Sequence, residues 1–132
     1  MTMTDPIGDL ATRIRNAQAV TKIDVTIPHS RVKAGVCEVL LREGFIEGFS
    51  VEPGEVQGQI RVQLKYGPNG EKIIRSIQRV SKPGCRKYFG VDQVSPVLRG
   101  MGITVITTNH GVLSDREARE KRVGGEPLLE VW

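Results

Sequence analysis

The chain has 132 residues, and 19 Lys and Arg against 15 Asp and Glu give a formal net charge of +4. Its 39% hydrophobic content is enough to bury a core, which argues against a disordered chain. The charge is uneven, because residues 1–70 are balanced while residues 72–91 hold six basic side chains and no Asp or Glu. A local field of one sign indicates a polyanionic partner, usually nucleic acid or a membrane surface.

Several classes of protein fit the sequence poorly. No apolar run approaches the ~20 residues of a membrane span, and the N-terminal residues lack the basic and apolar segments of a secretory signal. Cys37 and Cys85 lie in different predicted elements, which favours a cytosolic chain with reduced thiols. The length fits one domain, or two small halves that share an interface, because a unit of ~60 residues alone is marginal.

The first predicted element is a helix from Asp5 to about Val20. Asp5 can cap the free amides, and Pro6 suits the first helical position, where no backbone donor is needed. Apolar residues then recur at helical spacing from Ile7 to Ala17, which predicts one buried stripe.

The rest of the first half continues as strand, helix, strand and strand. Ser30 is a good cap for the second helix, and Gly44 is placed to end it. Alternation and turn residues predict the other boundaries, with strands at 23–27, 45–51 and 60–66. The first half is therefore predicted as α-β-α-β-β, a small mixed sheet backed by two helices.

A dense turn signal at residues 67–70 is the best boundary, which divides the chain into 1–67 and 71–132. In the second half we predict strands at 73–80, 103–107 and 128–132, an extended piece at 86–89, a short helix that begins at 92 or 95 and runs to 98, and a helix at 115–121. Ser114 and Glu117 fit a capping box for the last helix, which Gly124 and Gly125 would end. The fold class is therefore α+β, with two small α/β-type halves, the second mostly β with short helices.

An enzyme is the first alternative for function, and it has little support. His110, Ser114 and Asp115 supply the residue types of a nucleophilic triad, but such triads are assembled from separate elements, and Ser114 is better used as a helix cap. His29, Cys37, Cys85 and His110 lack the short paired spacings of a zinc site, and no phosphate-binding glycine motif is present. We therefore expect no enzymatic activity, metal or cofactor.

The basic stretch points to nucleic acid, because Tyr88 and Phe89 directly follow Arg86 and Lys87. Cations attract phosphates, and an aromatic ring offers a face on which an unpaired base can stack, worth ~1–3 kcal/mol per base. Two other interpretations stay open: a solvated strand face with core aromatics, or a protein-interaction module that docks on an acidic partner.

The turn at residues 107–111 follows a buried strand and is nearly uncharged. The short hydroxyl and amide side chains of Thr107, Thr108 and Asn109 can both donate and accept hydrogen bonds, which suits base edges and 2′-hydroxyls. Gly111 would let a nucleic-acid backbone come close. Ordinary turn chemistry also explains these residues, and taken alone they favour that interpretation.

A set of longer strings is ordered along nearly the whole chain and resembles the ribosomal protein S-eight family of the bacterial small subunit. The strings are Asp5-Pro6-Ile7, Thr12-Arg13-Ile14-Arg15-Asn16, Glu43-Gly44-Phe45-Ile46, Leu64-Lys65-Tyr66, Ser76-Ile77-Gln78-Arg79-Val80-Ser81-Lys82-Pro83-Gly84, Gly100-Met101-Gly102-Ile103, Gly111-Val112-Leu113-Ser114-Asp115-Arg116 and Val123-Gly124-Gly125-Glu126.

The resemblance implies a two-domain α/β protein on the cytoplasmic ribosome that is a primary binder of 16S rRNA and not a membrane protein. Such proteins bind a stem in the central domain and help to build the platform of the 30S subunit, with proteins S-five and S-twelve as neighbours. Some members also bind a similar stem in their own operon's messenger RNA and repress its translation. Residues 71–132 would form the RNA-binding domain.

The resemblance also implies site residues. The family's Ser-Thr-Ser loop falls on Thr107, Thr108 and Asn109, with His110 where a lysine is common, and the family's base-stacking tyrosine matches Tyr88. The remaining rRNA-binding candidates are Lys82, Arg86, Lys87, Gly111, Ser114 and Glu126. A second, weaker RNA contact at the ends of the first two helices would use Thr4, Asp5, Arg15, Asn16, Ser30 and Lys33.

Overall fold

A computed structural model describes residues 5–54 and 56–132. Thr4, a predicted member of the second RNA contact, lies outside these residues. The described ranges contain three α-helices, seven strands and two short 3₁₀ turns. In chain order they are α1 (Pro6–Ala19), β1 (Asp24–Pro28), α2 (Arg31–Arg42), β2 (Ile46–Glu52), β3 (Gln59–Leu64), β4 (Ile77–Arg79), the 3₁₀ turns Val91–Gln93 and Leu98–Gly100, β5 (Ile103–Thr108), β6 (Gly111–Ser114), α3 (Asp115–Lys121) and β7 (Glu126–Val131).

The strands form two antiparallel sheets, one from each side of the predicted boundary. The first sheet has three strands in the order β1-β3-β2, and the second has four in the order β4-β7-β5-β6. The predicted α+β class is confirmed, and so is the α-β-α-β-β order of the first half. The second half is mostly β, with α3 and the two 3₁₀ turns as its only helical pieces among the described residues.

One hydrophobic core joins the two sheets. Ile14 of α1 and Ile60 of β3 belong to the same buried cluster as Ile77 of β4 and Leu129 of β7. Each fully buried Leu or Ile side chain contributes roughly 1.5–3 kcal/mol relative to exposure. The main core is therefore shared by the two halves, and only a small second cluster around Ile106 lies wholly in the second half. The division into domains 1–67 and 71–132 stays a prediction.

Three predicted helix ends agree with the structure. The Ser30 side chain accepts a hydrogen bond from the Lys33 N–H at 3.2 Å. Gly44 follows α2 with φ of +83°, a left-handed conformation that glycine adopts without strain. Ser114 and Glu117 form the predicted capping box, with the Glu117 N–H donating to the serine at 3.2 Å and the Ser114 N–H to the glutamate at 3.0 Å.

The capping role predicted for Asp5 is wrong. Its side chain makes no hydrogen bond to α1, although Pro6 does occupy the start of the helix. Both carboxylate oxygens instead accept from Nε of Arg79, at 3.0 and 3.2 Å. The Arg79 side chain is only 11% exposed. A buried guanidinium requires a charged partner, whereas amides at an exposed helix end can be hydrated.

Two predicted elements of the second half are shorter or different in the structure. The strand expected at 73–80 is reduced to β4, because Arg75 and Ser76 donate their N–H groups to the Trp132 carbonyl rather than to a ladder. The helix expected at 92–98 is replaced by the two 3₁₀ turns. Pro96 cannot donate to a helix, and Leu98 and Arg99 both have positive φ.

The end of α3 and strand β6 also differ from the prediction. Arg122 ends the helix in a left-handed conformation with φ of 55°, before the glycines at 124 and 125. Strand β6 was not predicted, because four residues with two apolar side chains carry little periodicity. It forms only because the turn folds it back onto β5, with Thr108 paired to Gly111.

Candidate nucleic-acid interface

The turn predicted at residues 107–111 is the tip of a hairpin between β5 and β6. The pairing of Thr108 with Gly111 leaves a two-residue connection, Asn109-His110, whose side chains are exposed. The Thr108 hydroxyl donates to the Gly111 carbonyl at 2.9 Å and accepts from the His110 N–H at 3.0 Å. Thr108 therefore shapes the turn from within, and one acceptor lone pair of its hydroxyl remains for a ligand.

Glu126 at the start of β7 connects this hairpin to the basic stretch. It is the cross-strand partner of Thr107 on β5. One of its carboxylate oxygens accepts from the Ser81 hydroxyl at 2.6 Å and from the Arg86 guanidinium at 2.7 Å. Burial raises the pKa of Glu126, but these two hydrogen bonds together with the positive charges of Arg86 and Arg79 lower it by more, so that it lies below its ordinary value. Glu126 therefore holds Ser81 and Arg86 in position, and the same two hydrogen bonds fix its own carboxylate.

The two adjacent aromatic residues of the basic stretch point in different directions. Phe89 exchanges backbone hydrogen bonds with Gly125, and its ring packs against a small core cluster that includes Ile106 and Leu113. Tyr88 is 69% exposed. The interpretation of these residues as core aromatics therefore holds for Phe89 only, and the ring of Tyr88 is open to solvent.

The three cations of residues 82–87 differ in whether they are already paired with a carboxylate. Lys82 and Lys87 are exposed, and within the described ranges neither makes an ion pair. The backbone N–H of Lys87 donates to Ser81 Oγ at 3.0 Å, which fixes where that lysine leaves the chain. Arg86 is already paired, and its hydrogen bond to Glu126 raises the pKa of the guanidinium. Of these three predicted phosphate partners, the two lysines are therefore less engaged within the described chain than Arg86.

The residues of the predicted second contact do not lie together. Asp5 and Ser30 line a cleft of about 570 Å³ together with Arg86, Thr107 and Glu126. This part of the set therefore adjoins the main surface, by which we mean the predicted rRNA-binding residues of the second half. Arg15 and Asn16 are exposed farther along α1, and the Arg15 guanidinium donates to the Ile77 carbonyl.

Lys33, another member of that set, is buried, and its amine forms a hydrogen bond within the fold. It is 5% exposed, and its Nζ donates to the Pro28 carbonyl at 2.9 Å. Burial lowers the pKa of this amine. Lys33 therefore ties the start of α2 to the end of β1 and presents little of its charge to the surface.

Ser114 and Asp115 also serve the fold. Ser114 is fully buried as the cap of α3. The Asp115 carboxylate accepts from the Thr104 N–H at 3.1 Å and from Arg119 at 2.6 Å. His110 lies apart from them in the exposed hairpin turn. The residue types of a nucleophilic triad are therefore present, but Ser114 and Asp115 form hydrogen bonds that hold the fold, and His110 does not lie with them.

Sequence reasoning missed Ser81, the buried residue that links Glu126 to Lys87. Its position at the end of a strand carries no distinctive pattern, because its partner is 45 residues away. Across the described ranges, no three His, Cys, Asp or Glu side chains are grouped so that they could hold a metal ion. None of the helices found there is long and apolar enough to span a membrane.

Comparison with known proteins agrees with the resemblance read from the sequence. A family model described as "Ribosomal protein S8" matches residues 5–132. A relative from Rhodopirellula baltica is 55% identical over 131 residues, covering 98% of each chain. Relatives from Latilactobacillus sakei and Lactobacillus helveticus are 51% and 49% identical over all 132 residues of both chains. All three are named "Small ribosomal subunit protein uS8". The chain therefore belongs to the ribosomal protein S8 family and is a structural, non-enzymatic protein of the small ribosomal subunit on the cytoplasmic ribosome.

Proposed function

We propose that this chain is a primary rRNA-binding protein that binds the central domain of 16S rRNA and helps to assemble the platform of the 30S subunit. The observation that carries the proposal is the exposed ring of Tyr88, which directly follows Lys87, a lysine without an ion pair in the described residues, while the next residue, Phe89, packs against the core. An exposed aromatic ring leaves apolar surface in contact with water, which is unfavourable unless a partner covers the ring. An unstacked base is such a partner.

Recognition would be led by the shape of an irregular stem. The major groove of an A-form stem is too narrow for side chains, so a protein reads the minor groove, the phosphates and any looped-out bases. Lys82 and Lys87 would hold phosphates, and Tyr88 would stack on a base. The residues of the hairpin tip, Thr107–Gly111, would make short polar contacts at the irregular part of the stem.

Glu126 and Arg86 would act as a unit at the edge of this surface. Their ion pair fixes the guanidinium next to the cleft that Thr107 also lines. Arg86 remains 54% exposed at its side chain, so its free N–H groups can still donate to RNA. Ser114 would contribute by holding α3 and the end of β6, because its side chain is buried.

The second contact would join the main surface through Asp5 and Ser30, which line the shared cleft. Arg15 and Asn16 would meet a different part of the RNA, farther along α1. Lys33 would support this contact by holding the end of β1 next to Ser30. Thr4 stays a candidate from the resemblance.

Three further proposals rest on the resemblance alone. Proteins S-five and S-twelve would be neighbours in the subunit. The same surface would also bind a similar stem in the messenger RNA of the protein's own operon and repress translation. Binding of the wild-type chain to that messenger stem, with a plain duplex for comparison, tests the proposed messenger contact on which repression would depend.

The main test compares Tyr88→Ala with Lys87→Ala on the cognate rRNA stem and on a plain duplex of matched length. We expect Tyr88→Ala to weaken binding to the stem by about tenfold or more and to change duplex binding little, because only the stem offers an unstacked base. Lys87→Ala should weaken binding to both RNAs and reduce the slope of log affinity against log salt by about one unit.

Two results would contradict the proposal. An equal loss on both RNAs for Tyr88→Ala would remove the base-stacking role. An unchanged salt slope for Lys87→Ala would remove that lysine from the phosphate contacts. Phe89→Leu, which keeps an apolar side chain in the small core, controls for damage to the fold.

A further inference from the structure

A second pocket, of about 250 Å³, lies between α1 and the segment that leads into β4; we call it the α1–β4 pocket. Its lining residues are Arg15, Gln18, Ile74, Arg75, Ser76, Ile77 and Gln78. Strand β4 and hairpin strand β6 form opposite edges of the four-stranded sheet. The α1–β4 pocket is therefore separate from the surface around Tyr88 and the hairpin.

The α1–β4 pocket is positively charged and uncompensated. Arg15 and Arg75 both line it, and neither forms an ion pair with a carboxylate in residues 5–54 and 56–132. Most other arginines do, as Arg13 with Asp9 at 2.9 Å and Arg61 with Glu52 at 2.6 Å illustrate. No Asp or Glu of the described chain lines the pocket.

Gln18 supplies the second observation. It is 3% exposed, and its Nε2 is the one buried side-chain nitrogen or oxygen in the described part of the chain without a hydrogen-bond partner. Leaving a buried amide donor unpaired is costly, so such a group needs an explanation. Half a turn of the amide exchanges its nitrogen and oxygen with almost no change in shape, so the side chain can present an N–H to the pocket.

We propose that the α1–β4 pocket binds a phosphate group. Arg15 and Arg75 supply the charge, and the Gln18 amide donates a hydrogen bond. Guanidinium groups match the oxygens of a phosphate, and the pocket volume lies below the ~300–1,000 Å³ of sites for drug-sized ligands. The phosphate comes either from an RNA backbone or from free inorganic phosphate. The RNA source rests on the proposed function, and the free source does not.

The test follows the side-chain NH₂ signals of Gln18 by NMR in the full chain. One arm titrates sodium phosphate against sodium chloride at constant ionic strength, and the other adds a transcript of the 16S central domain. We expect a saturable change in the Gln18 signals. Arg75→Ala should weaken the apparent affinity behind that change by about tenfold, the effect of losing one charge-assisted hydrogen bond.

Arg31→Ala is the matched control, because Arg31 is exposed, makes no ion pair within the described chain and lies outside the pocket. A response to inorganic phosphate assigns a general phosphate site, and a response to the transcript alone that Arg75→Ala weakens assigns an RNA phosphate. No saturable change in either arm, or equal effects of Arg31→Ala and Arg75→Ala, would overturn the proposal.

The phosphate site and the proposed RNA-binding function can be disproved separately. Tyr88→Ala, which should impair binding to the cognate stem, should leave the response of Gln18 to inorganic phosphate intact. Arg75→Ala should leave the preference for the stem over the plain duplex intact. Gln18→Leu, of similar size, removes the donor, and the backbone N–H signals of Arg75 and Ser76 then report whether phosphate still enters the pocket.

Discussion

Glu126 shows how an acidic residue can serve a basic surface. Its carboxylate lies at the start of β7, where it accepts from a serine hydroxyl and an arginine. The same serine, Ser81, accepts from the backbone of Lys87 at 3.0 Å. The negative charge therefore holds the position of a segment whose two lysines, Lys82 and Lys87, make no ion pair within the described residues. Replacing it with a neutral group would add net positive charge and yet loosen the surface.

The pKa of Glu126 gives a pH-dependent prediction. The folded pKa lies below the unfolded value of about 4.3, so the carboxylate contributes to the free energy of unfolding above that pH and loses the contribution as pH falls through the folded pKa. Glu126→Gln should therefore lower the free energy of unfolding at pH 7 by about 1 kcal/mol. The difference from wild type should shrink below pH 4, as measured by urea denaturation at each pH.

Glu130→Gln is the matched control for this prediction. Glu130 lies on the same strand, and its side chain makes no hydrogen bond or ion pair within the described chain. It should cost less stability at pH 7. A Glu126→Gln penalty that stays constant from pH 7 to pH 3 would show that the charge of Glu126 does not matter.

At the level of elements, the hairpin leads directly into α3 without an intervening loop. Ser114 ends β6 and caps α3, so the same residue fixes the hairpin and the helix that follows. Ser114→Ala should lower the free energy of unfolding by about 1 kcal/mol, a typical cost of losing an N-cap. Chemical denaturation with circular dichroism detection measures the loss.

Glu117→Ala provides the comparison, because it breaks the same capping box from the helix side and also removes an acceptor for Arg42 at 3.0 Å. It should destabilise the protein at least as much as Ser114→Ala. The buried position of Ser114 leads us to expect equal small effects of the two substitutions on RNA affinity. A clearly larger loss for Ser114→Ala would instead support the predicted direct contact.

Elements with a local cause could be predicted from the sequence. Ser30 and Ser114 predict the starts of α2 and α3, because the hydrogen bonds of a helix cap involve only residues within one turn. The length of β4 could not be predicted. Residues 73–80 are rich in strand-forming side chains, but whether they pair depends on the Trp132 carbonyl, more than fifty residues away. The hairpin tip was located correctly, whereas the occupied hydroxyl of Thr108 is visible only in three dimensions.

At the scale of the whole molecule, the ion pair of Asp5 and Arg79 connects the start of α1 to β4, 74 residues later. Arg79 also donates to the Leu128 carbonyl of β7 at 2.9 Å. The sequence predicts Asp5 as the cap and counts Arg79 among the six basic residues of 72–91, because no local pattern links the two. The pair lies at the cleft where the main surface and part of the predicted second contact meet.

Removing Arg79 tests how far the two halves depend on each other. Arg79→Met leaves Asp5 without its partner in a half-buried position, and we expect a loss of about 2 kcal/mol in the free energy of unfolding. Arg61→Met removes an exposed arginine that pairs with Glu52 at 2.6 Å on the outer face of β3, and it should cost clearly less. Because one core spans both sheets, both variants should unfold in a single transition by calorimetry. Two separate transitions in Arg79→Met would show that residues 1–67 and 71–132 behave as independent domains once this ion pair is lost.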